Sequence, residues 1–119
     1  MRRYVYIWQF EVAPENQGEF LHHYGPDGTW AQLFRRTPGY LETLMLQDER
    51  SPTRYLTVDR WASREAHDAF LQAHRAEYEQ VDRLCESLTM AETSLGSFWE
   101  AAPPALAPSH ASGGERPGS

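Results

Sequence analysis

The 119-residue chain contains no lysine; all eleven of its basic residues are arginine. A Schiff base and a covalently held pyridoxal cofactor are thereby excluded, because both need a lysine amine. Cysteine occurs once, at Cys85, which rules out an intramolecular disulfide and a cysteine-ligated metal cluster. The cytoplasm is the expected compartment, and a lone thiol within a helical stretch reads as a small core residue. Long apolar runs are missing too. None approaches the roughly 18 residues of a membrane span, and the stretch after Arg3 is broken by Gln9 and Glu11 too early for a secretory leader. Positive charge is scarce, and a formal net charge of −6 does not suit a nucleic-acid backbone. The five histidines show neither HxH nor HExxH spacing, and no glycine-rich nucleotide motif occurs. Neither a metal, a nucleic acid nor a membrane is an expected partner.

What is present is a dense set of aromatic and β-branched residues, 13% of the chain being Phe, Trp or Tyr, enough to build one compact core. Tyr4 to Val12 reads as a strand that stops at Ala13-Pro14. Val5 and Ile7 fall on one of its faces and Tyr6, Trp8 and Phe10 on the other, so it is expected to be covered on both sides. Helical spacing follows from Glu15 to Tyr24, is interrupted at Gly25-Pro26-Asp27-Gly28, and resumes from Thr29 until Thr37-Pro38-Gly39. Tyr40 to Gln47 and Arg54 to Trp61 form a strand pair around a polar loop. Ser63 caps a helix expected to reach about Arg83, and Leu88 to Trp99 returns to strand character with a bulge marked by Gly96.

The order β-α-β-β-α-β is that of a ferredoxin-like α+β domain, a four-stranded antiparallel sheet with helices on one face. An uncovered apolar sheet face calls for a partner, and the simplest is a second copy, giving a homodimer. The domain is expected over residues 1–100. Residues 101–119, rich in Pro, Gly, Ser and Ala, read as a disordered tail.

Trp30-x-x-Leu33-Phe34, then Pro38-Gly39-Tyr40-Leu41, then Tyr55-Leu56-Thr57-Val58-Asp59-Arg60-Trp61-x-Ser63 and Phe70 resemble the antibiotic biosynthesis monooxygenase family of dimeric α+β barrels. The resemblance covers almost all of residues 4–99. It implies a pocket between sheet and helices, and cofactor-independent oxidation of a small electron-rich aromatic substrate by O2. Haem-degrading relatives carry a Trp where this chain has Phe70 and a ligand His near its Gln80, so that branch is not indicated.

Chemistry-bearing candidates follow from helical and strand phase. On the second helix Ala66, Phe70, Ala73, Val81 and Leu84 make an apolar stripe with Glu77 in its middle and His74 one turn away. This pair is the expected catalytic base and proton relay, since a desolvated carboxylate titrates closer to neutrality. A kink after Ala73 would instead turn Glu77 to solvent, to pair with Arg75 or Arg83. His23, on the Phe20/Tyr24 face beside the glycine-flanked break, either lines the pocket or simply ends its helix. Tyr24, Trp30 and Trp61 are expected aromatic walls, with Phe70 beside them. Asp59 shares a strand face with Tyr55, Thr57 and Trp61, where it either holds the substrate or pairs with an arginine at the dimer seam. Two other readings use the same pocket: an isomerase or cyclase that consumes no oxygen, and a dimer that binds a ligand without turnover.

Overall fold

A computed structural model describes residues 2–101; from residue 102 the expected tail lies outside the described residues. Four strands, β1 (Tyr4–Glu11), β2 (Tyr40–Gln47), β3 (Arg54–Trp61) and β4 (Ala91–Trp99), form one antiparallel sheet in the order β2-β3-β1-β4. Four helices, α1 (Gln17–Tyr24), α2 (Thr29–Phe34), α3 (Arg64–Ala73) and α4 (Arg75–Cys85), lie against one face. This is the ferredoxin-like arrangement. No helix among the described residues is long and apolar enough to cross a membrane.

Local chemistry accounts for the boundaries. β1 is a central strand, and Tyr4, Tyr6, Trp8 and Phe10 alternate toward the helices. Ser63 accepts a hydrogen bond from the Ala66 backbone N–H at 3.1 Å, capping α3 as its sequence implies. Gly39 has φ +100°, and a Cβ there would stand 2.6 Å from the Ala66 Cβ, so the turn into β2 and the docking of α3 both require glycine. Gly96, at φ +110°, follows Leu95, the extra residue of a bulge where β4 shifts register against β1 between Ile7 and Trp8.

The core consists of two aromatic clusters. Phe10, Val12, Phe20, Tyr24, Tyr55, Cys85 and Leu88 fill one; Tyr4, Leu33, Phe34, Trp61 and Phe70 fill the other. Ring pairs knit each together, Phe20 stacking on Tyr24 at 4.4 Å and Phe34 meeting Phe70 edge-on at 5.1 Å. Each such ring contributes about 1.5–3 kcal/mol by leaving water.

The single second helix expected from Ser63 to about Arg83 is two helices broken at His74, whose φ −124° and ψ 30° lie outside helical geometry. The break rotates the stripe. Ala73 is exposed and Leu84 is 58% exposed, whereas Leu71, Tyr78 and Val81 pack on the core and Cys85 is fully buried. β4 begins at Ala91 rather than Leu88, because Glu86–Leu88 is a turn of 3-10 helix that seats Leu88 in the core.

The helix-free face of the sheet carries an apolar patch. Leu44 and Leu46 on β2 are 41% and 48% exposed, and Phe98 on β4 is 46% exposed, around half-buried Ile7, Leu56 and Val58.

Candidate functional site

Strand parity places Thr57 opposite Trp8, and Asp59 opposite both Tyr6 and Thr43, all on the helix side of the sheet. Threonine and aspartate are small beside the surrounding rings, so the middle of this face is hollow. Two adjoining recesses result, with cavity volumes of ≈ 80 and ≈ 110 Å³. They share Trp8, Phe34, Asp59 and Tyr78. Trp30, Tyr24 and Glu92 complete the first; Tyr6, Trp61, His67 and Phe70 complete the second.

Asp59 is the one carboxylate common to both recesses. Thr43 Oγ1 donates to its Oδ1 at 2.7 Å, and no other hydrogen bond reaches the carboxylate from the described residues. Because the Thr43 proton is committed to Asp59, the Tyr40 hydroxyl, 2.7 Å from Thr43 Oγ1, must be the donor in that pair. The result is a polarised line, Tyr40 to Thr43 to Asp59. The enclosing rings strip water from Asp59 and push its carboxyl up to about 6, against the smaller opposing effect of the Thr43 bond. The titratable neighbours are Tyr6 on β1, Tyr40 on β2, His67 on α3, Tyr78 on α4 and Glu92 on β4. Burial also raises the phenols of Tyr24, Tyr40 and Tyr78, which therefore stay protonated.

Six of the expected site residues are placed as follows. Tyr24 and Trp30 line the first recess, Trp61 and Phe70 the second, and Asp59 both. His23 lines neither; its Nδ1 sits 2.8 Å from Thr29 Oγ1 and ties the end of α1 to the start of α2. The pair on the second helix lies apart from them. Glu77 points outward with its side chain 42% exposed, 4.0 Å from Arg36 rather than beside Arg75 or Arg83. His74 stacks on Phe70 at 5.6 Å with its Nδ1 buried and 3.8 Å from Glu77, and neither residue lines a recess. The α4 residue that does reach in is Tyr78, one position and 100° beyond Glu77.

Thr43, Tyr78, His67 and Glu92 were not marked out by the sequence. Their common signal is tertiary: each comes from a different element, and only the sheet register and helix docking bring them together. His67 is enclosed by Tyr4, Tyr6 and Trp61 at ring distances of 5.3, 5.6 and 5.4 Å.

The family model for antibiotic biosynthesis monooxygenases matches residues 3–80. The chain belongs to the antibiotic biosynthesis monooxygenase family. The family match takes in β1 to β3, both recess threonines and Asp59. Solved structures share the fold. A mutant of SnoaB of Streptomyces nogalater, a cofactor-independent oxygenase, superposes with a TM-score of 0.67 at 19% identity, over 87% of this chain and 96% of that one. A Bordetella bronchiseptica protein with a provisional assignment to the same family gives 0.65 at 18% identity, over 86% and 100%. A Nitrosomonas europaea protein with the same provisional assignment gives 0.62 at 18%, over 85% and 92%. Among curated proteins no significant sequence match is found.

Proposed function

We propose that the chain is a cofactor-independent monooxygenase that oxidises a phenolic or polycyclic aromatic small molecule with O2, and that Asp59 is its base. The observation that carries this reading is a desolvated carboxylate, held by a single hydrogen bond, at the floor of an aromatic recess. Asp59 takes a phenolic or benzylic proton from the substrate. The resulting carbanion passes one electron to O2, and the substrate radical and superoxide combine to form the C–O bond of a hydroperoxide. Loss of water from that hydroperoxide breaks the O–O bond and the remaining C–H bond, leaving one oxygen in the new carbonyl and one in water. The aromatic walls keep water from the intermediates. The proton held by Asp59 returns to the peroxide oxygen to complete the hydroperoxide, which restores the carboxylate; the hydroxyls of Tyr40 and Thr43, both donating toward Asp59, steady it as the anion.

The family and the SnoaB-like fold support the reaction class; the recess supports the base. His74 and Glu77, outside both recesses, are not assigned contact with substrate. A second copy is proposed to cover the apolar patch on the helix-free sheet face, making the working unit a cytoplasmic homodimer. Leu46→Glu on that face is expected to convert the dimer to monomer in sedimentation velocity; an unchanged sedimentation coefficient would put the interface elsewhere.

The deciding experiment is oxygen uptake by metal-stripped protein given a hydroxyanthrone, against heat-denatured protein because such compounds autoxidise. Uptake above that control with a quinone product supports the proposal. Uptake equal to the control removes this substrate class, and product formed without oxygen consumption assigns an isomerase or cyclase to the same base.

A further inference from the structure

The first recess contains two carboxylates, Asp59 and Glu92, set among Trp8, Trp30, Tyr24 and Tyr78, and no cationic side chain among the described residues lines it. Five of the ten arginines among the described residues are engaged elsewhere: Arg35 with Asp27, Arg36 with Glu77, Arg54 with Asp48, Arg60 with Glu42 and Glu100, and Arg64 with Asp68. In the second recess the one basic side chain among the described residues is His67, whose Nδ1 is 3.3 Å from Asp68. A carboxylate taken out of water without a positive partner is held at a cost, which a proton or a cation relieves. The ring faces around it add negative potential, so positive charge is favoured twice over. The net charge of −6 has the same sign and steers cations toward the protein.

We infer that the recess is charge-selective: its substrate is an aromatic molecule bearing a protonated amine, and aromatic acids are rejected. This rests on the recess being the substrate site, and not on the oxidation. Asp59 lies opposite Tyr6 and Glu92 opposite Phe10, on the two strands that flank β1, so the amine takes the Glu92 end of the recess while the phenol lies at Asp59, and a carboxylate would meet a like charge at either end and no counter-ion. Thr89 Oγ1, 3.0 Å from Glu92 Oε2, steadies the second carboxylate on the edge strand.

The test is equilibrium binding to the full chain at pH 8 and low salt, read by tryptophan fluorescence. Three naphthols identical except for an aminomethyl, carboxamide or carboxylate group serve as probes. The amine is expected to bind more tightly than the amide and at least about tenfold more tightly than the acid. Asp59→Asn and Glu92→Gln are each expected to shrink that ratio, and Glu92, on an exposed strand, can be replaced without disturbing the core. An acid that binds as well as the amide overturns the inference, as does a preference that survives both substitutions. Binding by none of the three overturns it and also removes the recess from the oxygenase reading. Charge-selective binding without oxygen uptake leaves it standing and removes the oxidation alone.

Discussion

Asp59 and Arg60 are neighbours on β3, face opposite sides of the sheet, and meet opposite fates. Arg60 donates to Glu100 at 2.7 Å and pairs with Glu42, and both partners hold its guanidinium firmly charged. Asp59 has one threonine hydroxyl. The charge on the open face is completed within the chain; the charge on the covered face is left for something else to complete. A satisfied ion pair fastens strands together, and an unsatisfied carboxylate in a hollow is a reactive group.

Replacing Asp59 should break this contrast most strongly. Asp59→Asn is expected to lower oxygen-dependent turnover by roughly 10²–10⁴-fold, while making the fold more stable at pH 8 by about 1–3 kcal/mol in chemical denaturation. The sign follows from the raised carboxyl. The folded protein holds the Asp59 proton to about pH 6, the unfolded chain only to 3.8, so the stability it contributes is present below 3.8 and is lost as pH rises through 6. The stability gain of the variant should therefore vanish below about pH 4. A variant that loses both activity and stability would mark Asp59 as structural.

Removing the Thr43 hydroxyl sharpens the same comparison. For the parent protein, kcat/KM should rise with pH and level off above about 6 as Asp59 ionises. Thr43→Val removes the one bond that favours the carboxylate, so this limb should move to higher pH; Thr43→Ser should restore it. A pH profile unmoved by Val would detach Thr43 from the base. Arg60→Ala is the mirror experiment, expected to lower Tm by a few degrees, roughly 2–5 °C, with turnover within about twofold of the parent. Smallest of all is Glu77→Gln, expected to change turnover by less than about twofold because its side chain points outward toward Arg36. A hundredfold loss there would return catalysis to the second helix.

The strands and the cap were legible because each is written in consecutive residues. Tyr40–Gln47 and Arg54–Trp61 were readable to the residue, and Ser63 announced its helix. The phase of the second helix was not, since a fixed period of 3.6 cannot register the break at His74. An error of one position put Glu77 where Tyr78 belongs. The hollow itself was partly legible: Asp59, Trp61, Tyr24 and Trp30 share faces that alternation and helical spacing define. Thr43, His67 and Glu92 came into the site only through pairing between distant strands and the docking of α3, for which a single element carries no signature.

The bulge at Leu95 decides the electrostatics of the hollow. On β4, Trp99 and Ser97 lie opposite Tyr4 and Tyr6, whereas beyond the bulge Ser94 and Glu92 lie opposite Trp8 and Phe10. Both pairs face the helices, although odd and even positions have changed places. The same sequence paired without a bulge would present Leu95, Thr93 and Ala91 to the recess and turn Glu92 to the open face. The bulge thus acts as a parity switch, converting what regular pairing of this sequence would make a neutral wall into an acidic one. A relative that pairs a strand of the same length without this bulge should differ from this chain in the charge of the ligands it accepts, even where every recess residue on the other strands is the same.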